Sequence, residues 1–178
     1  MRWDDLFTDL EMQLESELTA EECDREADEL RLRAGRLSLR DRVIAVGSAP
    51  ITFLLPSTRL VVLPQLVGVD WVSASSERGS CVIPLAAVEG LLLPTQPHVG
   101  APTATSPRLS LAVVMRDLCR RRAAVTLPLA GGTLHGTIDS VGEDHLDLAV
   151  HEPGTPRRRS AVTENRIVAF RAVELVWF

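Results

Sequence analysis

The chain has 178 residues, of which 46% are apolar, and a net charge of −5. That length holds one medium domain or two small ones, and that apolar share excludes global disorder. No run approaches the ~20 apolar residues of a membrane-crossing helix, and all 19 basic residues are arginine, so a phosphate-binding Gly-rich loop ending in lysine is excluded as well.

The charge is unevenly spread. Residues 1–35 carry twelve acids and four arginines, whereas residues 36–178 carry twelve acids and fifteen arginines, so an acidic arm precedes a mildly basic body. The opening Met1-Arg2-Trp3-Asp4-Asp5 places acids where a signal peptide has a basic end, and a cytoplasmic protein is expected. Trp3, Phe7, Leu10 and Leu14 recur at spacings of four, three and four, the apolar stripe of an amphipathic helix. A second series, Cys23, Ala27, Leu30, Ala34 and Leu37, is out of register with the first. The slip falls at Thr19-Ala20-Glu21-Glu22, which has the form of a helix-starting capping box. The stripe either packs on the body or joins a second chain as a short coiled coil.

Gly47-Ser48-Ala49-Pro50 ends the helical region, and Ile51, Phe53 and Leu55 then alternate with a period of two, as strands do. Residues 94–107, with four prolines among small and polar residues, read as a linker. Leu109 to Arg122 reads as a helix with Leu111, Val114, Met115 and Leu118 on one side, and Val125 opens a second series of strands. Laid on residues 125–149 without a gap, residues 51–75 match in strands and turns: Ile51-Thr52-Phe53 meets Val125-Thr126-Leu127, and Val67-Gly68-Val69-Asp70 meets Val141-Gly142-Glu143-Asp144. Further on, residues 83–89 match 168–174 at an offset of 85 instead of 74, so the second copy carries eleven extra residues between His151 and Arg166. Gly131-Gly132 supplies a tight turn, and Gly136 lies mid-strand where a sheet can bend sharply.

The second copy resembles the Sm/Sm-like family, through Gly136 in the second strand and Gly142-Glu143-Asp144-His145-Leu146-Asp147-Leu148 in place of the family's Gly-Phe-Asp-x-x-Met-Asn-Leu turn and strand. The resemblance implies an N-terminal helix and a five-stranded barrel, closed so that short strands hide their edges. With the missing residue placed after Asp144, the family's pocket asparagine falls on Asp147 and, in the first copy, on Ser73; the family's Arg-Gly pair is replaced by Val168-Ala169-Phe170-Arg171-Ala172-Val173. These departures count against RNA binding by the family's ring mechanism. The whole chain also resembles actinobacterial proteins sometimes labelled transcriptional regulators. The expected fold is α+β: an acidic helical arm over residues 1–35, a helix and first small Sm/SH3-like antiparallel β-barrel over 36–93, the linker over 94–107, and a helix and second five-stranded barrel over 108–178.

Chemistry is sparse. Cys23, Cys81 and Cys119 are far apart, without the spacing of a zinc site. His135, His145 and His151 with Asp139, Asp144 and Asp147 invite a metal or acid–base role, but they read more simply as polar strand faces, so no catalytic residue, metal or cofactor is expected. Two arginine clusters remain: Arg120-Arg121-Arg122 at the helix end and Arg157-Arg158-Arg159 in the inserted loop, each able to hold phosphates or an acidic partner. Two functions are therefore expected as alternatives. One is a non-enzymatic interaction module, an adaptor or scaffold, docking a protein partner or a second copy through Trp3, Phe7, Leu10 and Leu14. The other is an RNA- or DNA-binding regulator using the arginines. Neither involves a membrane or a small-molecule substrate.

Overall fold

A computed structural model describes Arg25, Leu32, Gly35 and residues 37–93, 104–105 and 108–178. It divides into two compact units, Met1–Ser38 and Leu39–Phe178. In the first, Arg25, Leu32 and Gly35 are helical and exposed; the stripe of Trp3, Phe7, Leu10 and Leu14 lies outside the described residues, as does most of the 94–107 linker. Among the described residues, no helix is long and apolar enough to cross a membrane.

The second unit opens with a short helix, α1 (Leu39–Val46), followed by β1 (Ile51–Leu55), β2 (Thr58–Val67), β3 (Trp71–Ser76), β4 (Gly79–Pro84), a 3-10 turn and β5 (Gly90–Leu92). The pair β6 (Ala104–Thr105) lies parallel to the end of β2. Helix α2 (Leu111–Arg120) then leads into β7 (Ala124–Leu129), β8 (Gly132–Val141), β9 (His145–Val150), β10 (Glu164–Ala169), a second 3-10 turn and β11 (Val176–Trp177). Period two decides which residues go inside: Ile51, Phe53 and Leu55 are buried while their neighbours are half-exposed, and Val125 and Leu127, then Leu146 and Leu148, do the same in the second copy.

The two closed five-stranded barrels do not form. Among the described residues eleven strands make one open sheet in the order β10-β9-β8-β7-β11-β4-β3-β2-β1-β5, with β6 attached to β2 and the two short helices α1 and α2 in the same unit. The physical reason is the two-residue strand β11. Trp177 pairs with Thr126 of β7 on one side and with Cys81 of β4 on the other, so the second copy's last strand is spliced into the first copy's edge. The edge that a closed barrel would hide within one copy is instead satisfied by the other copy.

The duplicated plan survives inside this sheet. Strands β2 and β3 start 74 residues before β8 and β9, and β4 and its 3-10 turn start 85 before β10 and its turn. Both long strands bulge at the same place, between Pro64 and Leu66 and between Ile138 and Ser140. The extra residues lie between β9 and β10.

The two copies share their cores. Trp71 and Val82 of the first belong to the apolar cluster built on Met115, Leu127, Ile138 and Leu148, while Leu175 of the second belongs to the cluster around Phe53 and Ile83. Polar groups lock the same junction. The Asp70 carboxylate accepts from the Leu111 backbone N–H at 2.8 Å, capping α2 from the first copy's turn, and the Trp71 indole donates to the Leu109 carbonyl at 3.0 Å. Such a cap satisfies a donor that a helix start leaves open. Reciprocally, buried Glu174 of the second copy accepts from both the backbone N–H (3.0 Å) and the hydroxyl of Ser57, in the β1–β2 turn.

Candidate functional site

The bulge in β8 turns Asp139 out of the ladder, as bulges do when they re-aim a side chain. Two arginines reach it from different directions. Arg122 donates from Nη1 to Oδ1 at 3.2 Å and Arg157 from Nη2 to Oδ2 at 2.5 Å, so the carboxylate bridges the helix-end cluster and the inserted loop. The hydrogen bond that Arg157 donates to Asp139 raises the arginine's already high pKa.

Each arginine is placed by its own local structure. Helix α2 ends in a Schellman arrangement, in which the Arg122 N–H donates to the Cys119 carbonyl and the Ala123 N–H to the Leu118 carbonyl. The residue at that corner needs left-handed backbone, and Arg122 has φ 53°, unlike any other non-glycine among the described residues. That conformation costs an L-residue about 1–2 kcal/mol. The corner after α1 is taken by Gly47 with φ 67°, the residue that pays no such penalty. Arg157 follows a type II turn over Glu152–Thr155, with Pro153 and left-handed Gly154 (φ 75°) in the middle and the Thr155 N–H closing on the Glu152 carbonyl.

Between these arginines lies a pocket of about 370 Å³ whose wall includes Ala124, Thr137, His151 and Thr155. Thr137 and His151 are 2% and 4% exposed. The His151 ring must donate from Nδ1 to the Glu152 carbonyl (3.1 Å), because a carbonyl only accepts, and its Nε2 is hydrogen-bonded to the Thr137 hydroxyl (3.0 Å). The first copy has a groove in the same position, of about 620 Å³, with Pro50, Leu63 and Glu77 where the second has Ala124, Thr137 and His151. It is apolar, with Val61 and Leu63 both exposed. The inserted loop and Arg122 therefore separate a basic, polar pocket from its apolar twin.

The remaining sequence candidates do not line this pocket. Arg120 and Arg121 both pair with Asp117 on α2, Arg121 from Nε at 2.7 Å, and the hydrogen bond from Arg120 holds the Asp117 carboxyl below its ordinary range. Arg158 and Arg159 are exposed and make no side-chain ion pair among the described residues. His135 pairs with Thr126 (2.9 Å), His145 with Asp144 (2.9 Å) and Asp147 with Ser140. Among the described residues, no three His, Cys, Asp or Glu side chains converge as a metal site would require. Arg122 and Arg157, from the two separate clusters, meet on Asp139 beside His151. Thr137 and Thr155 were not singled out by the sequence, since a threonine in a strand or loop carries no spacing signal of its own. No protein-family model matches the chain, and no curated protein matches it.

Proposed function

We propose that the chain is a non-enzymatic scaffold, cytoplasmic in setting, that associates edge to edge with a second copy of itself. The observation behind this is the splice within the sheet. Copy one and copy two are joined where β4 meets β11, and the strands in the equivalent places, β10 and β5, end the sheet with one side each unpaired among the described residues. Unpaired strand edges invite further pairing. Because β10 and β5 are different surfaces, their contact is head-to-tail, which generates rings or open filaments rather than simple two-fold dimers. Ile167, 73% exposed on β10, supplies an apolar side chain at the proposed junction.

Four of the six cluster arginines are gathered in pairs around single carboxylates, Arg120 and Arg121 on Asp117 and Arg122 and Arg157 on Asp139, instead of lining one continuous basic track. This supports the scaffold over a regulator that follows a nucleic-acid backbone along a row of arginines. Sedimentation velocity over a range of concentrations tests the proposal. The wild type should form concentration-dependent species larger than a monomer, and Ile167→Lys should return it to the monomer with an unchanged far-UV spectrum. A wild type that stays monomeric throughout, or a variant that assembles as before, would refute it. Assembly through arginine–phosphate contacts would instead need added nucleic acid and would collapse steeply with salt.

A further inference from the structure

The pocket between Arg122 and Arg157 has more donors than its own carboxylate uses. A guanidinium offers five N–H groups, and each of these arginines gives one to Asp139. Neutralising Asp139 would take a single arginine in a two-pronged contact; here two arginines approach from separate elements and leave most donors unspent. With Asp139 counted, the trio carries a charge of +1.

Two further observations point away from a purely structural clamp. First, Arg122 stands in a left-handed corner that Gly47 fills in the first copy, so its side chain is kept against a local backbone penalty. Strained backbone of this kind persists where surrounding structure and function hold it. Second, the insertion that brings Arg157 and Thr155 to the pocket is peculiar to the second copy, and the matching groove in the first has Leu63 and Glu77 in place of Thr137 and His151. One groove was made basic and the other was not.

We infer that this pocket binds the phosphate monoester group of a small molecule, with Arg122, Arg157 and the Thr155 hydroxyl as its donors. Three acceptor oxygens and a charge near −2 match two guanidiniums from separate elements and a neighbouring hydroxyl better than a second carboxylate does. Thr137 and His151, both nearly fully buried, close the pocket behind, which suits a terminal phosphate rather than a strand passing through. A volume of about 370 Å³ lies at the lower end of small-ligand pockets, enough for a phosphate carrying a group of nucleoside size or smaller.

Amide NMR titration of the full chain tests this. Inorganic phosphate and adenosine 5′-monophosphate should shift the Thr137, His151 and Thr155 signals saturably, and adenosine should not. Acetate at matched ionic strength should bind at least about tenfold more weakly. Arg122→Gly relaxes the corner, so the variant should fold at least as stably as wild type while binding phosphate about 10–100-fold more weakly. Arg157→Gln, in the exposed loop, should weaken binding similarly. The inference is overturned if neither phosphate ligand moves these signals, if acetate binds as tightly as phosphate, or if both variants retain wild-type affinity. It is also overturned if an oligonucleotide without terminal phosphates binds there as tightly as the monophosphate. None of these outcomes bears on assembly through β10 and β5.

Discussion

Glu174 links the last strand to the first hairpin, and its loss should show how strongly the two copies depend on their splice. Glu174 is 6% exposed, and a single carboxylate oxygen, Oε2, accepts from both the Ser57 N–H and the Ser57 hydroxyl, 117 residues away in sequence. Glu174→Ala removes both bonds and returns the two donors of exposed Ser57 to water. Hydrogen bonds to a charged acceptor contribute roughly 1.5–3 kcal/mol each. Rehydration of Ser57 reduces their sum, so a loss of about 2–4 kcal/mol is expected. For a chain of this size that corresponds to a fall in Tm of about 5–15 °C. Glu174→Gln keeps one carbonyl oxygen able to accept both bonds and should lose about 1 kcal/mol or less. Ser57→Ala keeps the backbone donor and should fall between the two. Urea denaturation of the three variants and of the Glu174→Ala/Ser57→Ala double variant gives the coupling, expected at about 1–2 kcal/mol. If Glu174→Ala lies within about 0.5 kcal/mol of wild type, or Glu174→Gln is as damaging as alanine, the latch does not hold the splice as described.

Gly136→Ala places a methyl carbon 2.4 Å from the Ala149 carbonyl oxygen of the neighbouring strand, a clash that only backbone movement relieves; a loss of about 1–3 kcal/mol is expected, and a variant within about 0.5 kcal/mol of wild type in the same denaturation assay would contradict it. Burial pushes the Cys81 thiol up to about 11, so in the folded chain it should resist thiol reagents near pH 8 and react only as fast as the protein unfolds; modification as rapid as in denaturant would refute its burial. The sign of the alkaline effect follows: the unfolded thiol ionises near 9, so the favourable neutral-thiol contribution is complete below pH 9 and is lost as pH rises through 11.

Much of the strand plan was legible because one local rule, burial alternating every second residue, was left undisturbed from Ile51 to Leu55 and from His145 to Leu148. The offsets of 74 and 85 carried over to the starts of β8 and β10 because turns such as Gly68 and Gly142 recur with them. In both, the glycine leaves room for a ring three residues on, Trp71 in one copy and His145 in the other. Closure was not legible. Whether five strands close on themselves or splice into a neighbour depends on where Val176 and Trp177 pair, and two apolar residues at the end of a chain look the same in either arrangement. The Asp70 cap on α2 was hidden for a related reason: Ser110 occupies the N-cap position but makes no side-chain capping bond, and the acceptor comes from forty-one residues upstream.

The pocket shows how a duplicated scaffold acquires two surfaces without changing its sheet. Sequence singled out Arg122 and Arg157 as members of two separate clusters, but it could not pair them, because their meeting depends on a bulge that exposes Asp139 and on a loop that folds back over the groove. A usable local signal was present at Arg122. A helix ending at Arg120 and a strand starting at Ala124 leave a corner where glycine is the least strained choice, and Gly47 makes that choice after α1. An arginine in the same role, whose side chain meets the acid presented by the bulge in β8, is better explained by what its side chain holds than by what its backbone prefers. The division between the copies then follows from chemistry at equivalent positions: Pro50 and Leu63 make one groove largely apolar, with the Glu77 carboxylate unfavourable to an anion, while Thr137, His151 and two guanidiniums line the other.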